Sequence, residues 1–283
     1  MQKNVFMVGM PGSGKTTYLG ATWILLSDGT ASTLYSKAPG IVPDDNSRLE
    51  AIAKDILDYN VLERTKQEEN TKLDIMLNDQ KGNKIFINIP DLAGEIFRDL
   101  VNDRRIRKSI VSNLLNADCI LFFTYYENMA KESRIQSGDG HNEENDNSLG
   151  IDFQIDEKRE ANESEVVELL LALLEILRKS IKPINIRFIM SAWDMVEKKY
   201  GHDILPEGAM REMFPLLYQC IQCNSDRMNY EFWGVAALGG DLNDPNDKKR
   251  IQIEELEAIC VVTPKGKKSN DLTAVLAGMG DEK

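Results

Sequence analysis

Residues 9–16 read Gly9, Met10, Pro11, Gly12, Ser13, Gly14, Lys15, Thr16: a glycine, four residues, then Gly-Lys-Thr. That spacing suits phosphate chemistry, because successive backbone N–H groups of a glycine-rich loop can converge on an anion at the start of a helix. Gly12 and Gly14 permit close backbone approach. Lys15, on a solvent-facing loop, would reach β- and γ-phosphate oxygens, and the Thr16 hydroxyl would coordinate magnesium. The expected nucleotide-binding segment is therefore Gly9, Pro11, Gly12, Ser13, Gly14, Lys15, Thr16 and Thr17. Phosphate binding alone does not separate a GTPase from a kinase or an ATPase. Three later segments bear on that choice. Asp91-Leu92-Ala93-Gly94-Glu95 puts a carboxylate where magnesium needs organising and a glycine whose N–H can turn toward a γ-phosphate. Ser191-Ala192-Trp193-Asp194 ends in a second carboxylate, and Ala237-Leu238-Gly239-Gly240 can form a loop over a base.

Each of these segments needs a strand end to hold it. Short apolar runs at 5–9, 73–78, 84–89, 119–125, 184–190 and 232–237 predict strands, and longer amphipathic runs lie between them. This is the alternation of an α/β protein with three layers and a mostly parallel sheet. A helix is expected from Thr16 through about Leu26. A second, over 47–58 with Asp45 as its cap, would lie inside an unusually long first connection. A third, near 164–180, opens on a capping box of Asn162 and Glu165 and stops before Pro183. The domain is expected to span 1–240, with a polar insertion over about 130–163 and a C-terminal appendage, 241–283, packed on it. From Asp139 to Glu165 ten acids face only Lys158 and Arg159, and the early part, SGDGHNEENDNS, cannot bury enough apolar surface to repay its own ordering entropy.

Composition narrows the function classes. The chain has 283 residues, and 34 basic against 46 acidic side chains give 34 − 46 = −12. A binder that works by neutralising nucleic-acid phosphates needs the opposite balance, so no nucleic-acid partner is expected. Four cysteines and two histidines are too scattered for a zinc site, and Cys220-x-x-Cys223 reads as two small buried side chains on a helix. The amino-terminal apolar run is broken by Gly, Ser and Lys before a signal peptide completes. The run at 166–177 is too short for a bilayer and carries Glu168 and Glu175. A cytoplasmic protein without a membrane partner is expected.

With these motifs in order, the sequence resembles the TRAFAC class of P-loop GTPases over most of residues 1–240. A closer resemblance is to the double-GTPase domains of bacterial conflict systems. It rests on the long first connection ending in NVLERT, the Ser-x-Trp-Asp variant, FWGVAALGG and the terminal NDLTAVL. The resemblance implies GTP and GDP as ligands with magnesium as cofactor. It also implies a switch in a defence or stress system, working beside a second GTPase or another effector. It makes Asp194 the carboxylate that accepts two hydrogen bonds from the guanine edge, and Ala236, Ala237 and Leu238 the base-proximal loop. Thr65, with Thr71 as runner-up, would close over magnesium and the γ-phosphate beside Thr16 and Asp91. Catalysis would fall to Lys15, Thr65, Gly94 and Glu95.

Two departures stand out. Glu95 replaces the usual water-orienting Gln, which implies slow hydrolysis or help from a partner. Ala192 replaces the Lys that packs along the base and braces the phosphate loop, leaving open whether Trp193 substitutes. Arg64, Arg98, Arg104, Arg105 and Arg107 are candidates to stabilise transition-state charge, against the plainer reading of solvated cations. Two rival functions remain: a nucleotide-binding interaction module without turnover, and an ATPase or kinase.

Overall fold

The computed structural model describes residues 2–35, 47–60, 62, 73–79, 82–89, 94–125 and 161–277. In chain order the elements are β1 (Gln2–Val8), α1 (Lys15–Asp28), β2 (Leu34–Tyr35), α2 (Ser47–Leu57), β3 (Leu73–Asp79), β4 (Lys84–Ile89), α3 (Glu95–Asp103), α4 (Lys108–Asn116) and β5 (Cys119–Thr124). They continue with α5 (Glu163–Leu177), β6 (Asn185–Ser191), α6 (Trp193–Tyr200), α7 (Pro206–Met213), α8 (Pro215–Cys223), β7 (Asn229–Ala236), α9 (Pro245–Glu254), β8 (Cys260–Val262) and β9 (Lys268–Ser269). Two 3-10 turns, Glu255–Ala258 and Leu272–Leu276, complete the described chain. The acidic stretch expected as an insertion lies largely outside the described residues, as does Asp45.

The strands form one sheet in the order β2-β3-β4-β1-β5-β6-β7-β8-β9. The central five, β4 to β7, run parallel, and the pairs on both flanks are antiparallel. The parallel centre is apolar nearly throughout, with β5 buried at every position, because both its faces are covered. Alternation along β1 divides the core. Phe6 and Val8 face the layer of α3, α4, α5, α7 and α8, while Val5 and Met7 face α1, α2 and the 272–276 turn. The three-layer α/β fold expected from the sequence is the one observed. Strand order reverses at β1, which has β4 on one side and β5 on the other, and ligands of open α/β sheets bind at such a reversal, beyond the carboxyl strand ends.

Local signals account for the helix starts. On α5, Asn162 accepts from the Glu165 N–H at 2.9 Å and Glu165 accepts from the Asn162 N–H at 2.8 Å, the reciprocal capping box. Helices α7, α8 and α9 each begin with a proline, whose missing N–H has no helical partner to lose there. Of the Cys220 and Cys223 pair, the first is half-buried and the second exposed on the end of α8, so burial of both is corrected: Cys223 falls on the outer face.

The C-terminal residues are bound into the far side of the sheet. Asp271 accepts from the N–H groups of Ser32 at 3.1 Å, Thr33 at 2.7 Å and Thr273 at 2.9 Å. Thr273 Oγ1 in turn accepts from the Leu34 N–H, and the Tyr18 hydroxyl donates to the Leu272 carbonyl. Arg187, buried on β6, donates to the carbonyls of Val275 and Ala277, pairs with Glu231 and lies 5.0 Å from the Trp233 ring centroid. Burial alone would raise the Asp271 pKa, but hydrogen bonds led by those from Thr273 and Thr33 outweigh it and hold the carboxyl below the usual range.

Asp271→Ala should therefore destabilise the fold by about 2–4 kcal/mol at pH 7, since buried N–H donors lose their acceptor. The folded-state pKa lies below the unfolded value of about 3.9, so the carboxylate's contribution is complete above that pH and is lost as pH falls through the folded value. Denaturant titration of both proteins should show the gap at pH 7 and its narrowing in acid. A gap that does not change with pH would contradict the assignment.

Candidate functional site

Four segments meet at the carboxyl edge of the parallel strands. Residues 9–14 follow β1, Gly94 follows β4, residues 191–194 close β6, and residues 236–241 leave β7. The loop after β1 enters α1 through Gly14, which has φ +89° and no side-chain cap, so the first N–H groups of α1 keep their donors turned toward the loop. A side chain at Gly14 is excluded twice, by that φ and by Ser191, whose Oγ would lie 2.6 Å from a Cβ.

Lys15 does not face solvent. It is 2% exposed, and its ammonium donates to the Gly9 carbonyl at 2.7 Å, the Met10 carbonyl at 3.0 Å and Ser13 Oγ at 3.2 Å. The loop expected to face solvent does so at Gly12, while the long Lys15 chain bends back beneath it and finds carbonyl acceptors there. Phosphate oxygens arriving over the loop would have to compete with those acceptors. Gly9, Pro11 and Ser13 are buried, Gly12 is exposed, and Thr16 and Thr17 are half-buried in the first turn of α1.

Gly94 caps α3 at φ +83° and lies directly against the loop. A Cβ there would come within 2.8 Å of the Gly9 carbonyl oxygen and the Pro11 nitrogen and 2.9 Å of Lys15 Nζ, so only glycine can occupy this position in this arrangement. Glu95 follows at the start of α3 and pairs with Arg98 one turn on, at 3.3 Å. Arg104 pairs with Glu168 on the surface, and Arg105 and Arg107 are exposed. Asp91, Thr65, Thr71 and Arg64 lie outside the described residues.

At the base end, Asp194 sits in the first turn of α6. Its Oδ2 is closed off from solvent and has no hydrogen-bond partner among the described residues. Burial pushes its pKa up to about 6, against lowering by its own backbone N–H, Lys198 and Arg250. A buried, unsatisfied carboxylate oxygen is costly, and at a loop edge it is best explained by a donor that arrives with a ligand.

The question left by Ala192 has a structural answer. Trp193 is fully buried: its ring packs on the bare Cα of Gly234, and its indole N–H donates to Glu197 at 2.8 Å. It is a core side chain and cannot line a base. The brace on the phosphate loop comes instead from Ser191, whose hydroxyl donates to the Ser13 carbonyl at 2.8 Å. Ala192 between them is held at φ +52°. Of the base-proximal residues, Ala236 is buried and in register with Cys260 of β8, while Ala237 and Leu238 are half-buried.

Magnesium takes one or two protein oxygens and otherwise phosphates and water, so it needs no all-protein cage. A hydroxyl in the first turn of α1, beside the loop, fits that donor set, and Thr16, nearer the loop than Thr17 in sequence, would supply one. Among the described residues no group of three or more His, Cys, Asp or Glu side chains could hold a metal, and no helix is long and apolar enough to cross a membrane.

Sequence reasoning missed Ser191 as the brace and the cluster of Lys198, Asp247 and Arg250 behind the base loop. For the cluster the only signal was Asp244-Pro245, a helix start that places Asp247 in the first turn.

A family model described as Double-GTPase 1 matches residues 6–279. No curated protein matches the chain. Among solved structures, Era from Aquifex aeolicus with GDP and AlF4- is 14% identical with a TM-score of 0.36, covering 89% of this chain and 56% of that one. The Ski7 GTPase-like domain from S. cerevisiae bound to GTP is 14% identical with a TM-score of 0.42, covering 85% and 44%. The Arl6 small GTPase from Trypanosoma brucei is 11% identical with a TM-score of 0.38, covering 89% and 96%. The chain thus spans about half the length of the Era and Ski7 chains. The family match extends over residues 6–279 and shows that the chain belongs to the Double-GTPase 1 family.

Proposed function

We propose that the chain is a guanine-nucleotide switch that binds GTP with magnesium, hydrolyses it slowly and changes state when the γ-phosphate leaves. The observation that carries this reading is Asp194 Oδ2, a buried acceptor without a partner among the described residues, on the same strand edge as the phosphate loop. The guanine edge offers two donors to such a carboxylate and adenine does not. Lys15 would trade the Gly9 and Met10 carbonyls for phosphate oxygens, and the Gly94 N–H would meet the γ-phosphate. Thr16, with Asp91 and Thr65, would hold magnesium, whose contribution when bound is to offset phosphate charge.

Slow turnover follows from Glu95, which is an acceptor where a donor to water is useful and is held by Arg98. That ion pair also favours a second reading, a nucleotide-binding module without turnover. Action in the cytoplasm, within a bacterial conflict system and beside a second GTPase or effector, belongs to the proposal. The unbridged cysteines agree with a reducing compartment. The proposed domain covers 1–240 with an insertion at about 130–163, and 241–283 as an appendage on the same body. The sharing of one sheet by β7, β8 and β9 supports the packing of residues 241–283 on the same body.

Lys15→Ala should abolish measurable GTP binding in calorimetry while leaving the far-ultraviolet spectrum intact. Unchanged affinity would refute the loop's role. Asp194→Asn should weaken GTP and turn preference toward XTP, whose ring presents the opposite group at that edge. Because the wild-type carboxyl titrates near 6 before nucleotide binds, GTP affinity should fall as pH drops below about 6, and the Asn variant should lack that fall. Equal affinity of the wild type for GTP and ATP sinks the guanine reading.

Single-turnover GTP hydrolysis without a partner should run on the order of 10⁻⁴ to 10⁻² s⁻¹, the range of P-loop GTPases acting alone or with an Arg in cis. No turnover at all would select the binding module. Thr65→Ala should spare GDP affinity while erasing the extra hydrogen-exchange protection of residues 94–107 that a non-hydrolysable GTP analogue confers. Protection that is the same with GDP and the analogue in the wild type would rule out a switch.

A further inference from the structure

The base loop and the Asp194 helix are joined from behind by one carboxylate. Asp247, in the first turn of α9, is 7% exposed. Its Oδ2 accepts from Lys198 Nζ and from the Asp241 N–H at 3.1 Å. Lys198 lies on α6 one turn beyond Asp194, and Asp241 follows Gly239 and Gly240 at the end of the base loop. Arg250, on α9 one turn after Asp247, approaches Asp247 Oδ1 at 3.6 Å, donates to the Gly239 carbonyl and is itself held by Glu254 at 2.7 Å. A Cβ on Gly240 would sit 2.8 Å from Arg250 Nη2 and 3.1 Å from Asp247 Oδ2, so the loop lies directly on this pair. The Lys198 hydrogen bond is the main cause that holds the Asp247 carboxyl below its usual range, so it is ionised at neutral pH.

From this geometry we infer that Asp247 is a positioning residue for base recognition: it sets the spacing between the carboxylate that reads the guanine edge and the loop that covers the ring. The argument is one of tolerance. The hydrogen bonds that Asp194 would accept from a base discriminate only if the base is held to within a few tenths of an ångström, and a loop with two consecutive glycines does not hold itself there. Asp247 fixes the loop by its backbone at 241 and, with Arg250, at 239, and fixes α6 through Lys198. One side chain thereby refers both walls to the same helix. Its hydrogen bonds and ion pairs among the described residues go to Lys198, Asp241 and Arg250 and not to residues 9–16, so its effect should be confined to the base end. The inference rests on Asp194 reading guanine.

The test separates the two ends of the nucleotide. Asp247→Asn should weaken GDP and GTP about tenfold, the scale of a lost charge-assisted hydrogen bond. It should narrow the ratio of GTP to ATP affinity and leave inorganic tripolyphosphate affinity as in the wild type. Lys198→Met, which alters a half-exposed side chain and spares the Asp241 bond, should act in the same direction with a smaller loss. It keeps the question answerable if the Asp247 variant does not fold. Equal losses for GTP and tripolyphosphate, or an unchanged GTP to ATP ratio in both variants, would overturn the inference. If Asp194→Asn fails to shift preference toward XTP, the guanine reading fails first. If it shifts preference and the Lys198 and Asp247 variants leave the ratio alone, only the positioning role of Asp247 is lost.

Discussion

A lysine ammonium enclosed beneath its own loop is the constraint around which the strand edge is organised. Burying that charge is costly unless acceptors surround it. The Gly9 and Met10 carbonyls and Ser13 Oγ do so only if the loop curls tightly around Lys15. The curl requires a left-handed residue at 14, and Gly14 then lies so close to β6 that Ser191 can bond the Ser13 carbonyl. On the other side the curled loop offers the Gly9 carbonyl and the Pro11 nitrogen to Gly94, which must also lack a side chain. Three strands are thus drawn to one point by the need to satisfy one cation.

This explains why the spacing of the candidate phosphate loop stands out in the sequence and the packing around Asp194 does not. Glycine, lysine and threonine at fixed spacing leave little freedom, because each answers a local steric or electrostatic demand. The strands and the Asn162 capping box were readable for the same reason, since apolar runs and caps act over a few residues. The parallel centre followed from the alternation of elements, but the antiparallel flanks did not. The segments β2, β8 and β9 have two or three residues each, too few to carry a period.

At the base end the decisive relations are tertiary. Whether Trp193 replaces the absent lysine is open in the sequence, where it is next to Asp194, and helical geometry answers it by turning the ring inward against Gly234. Ser191, which resembles an ordinary strand-end residue, has the bracing role by virtue of its distance to Ser13, 178 positions away. Asp247 sits in DPNDKKR, which reads as a solvated helix start. Its burial depends on α9 folding back over Lys198 and Asp241. No local pattern encodes such return contacts.

The bonds that tie Ser32 and Thr33 to Asp271 span 239 and 238 positions. Contacts of that length are formed late, since the loop they close must first be paid for in entropy. During synthesis the N-terminal part of the sheet emerges first and can pair while the later strands are still being made. Residues 32–34, which lead into the long first connection, have no acceptor at Asp271 until that residue has left the ribosome. A ribosome-bound chain would therefore carry the start of α1 in place before its far end is anchored, and the order of translation itself would leave that far end loose longest.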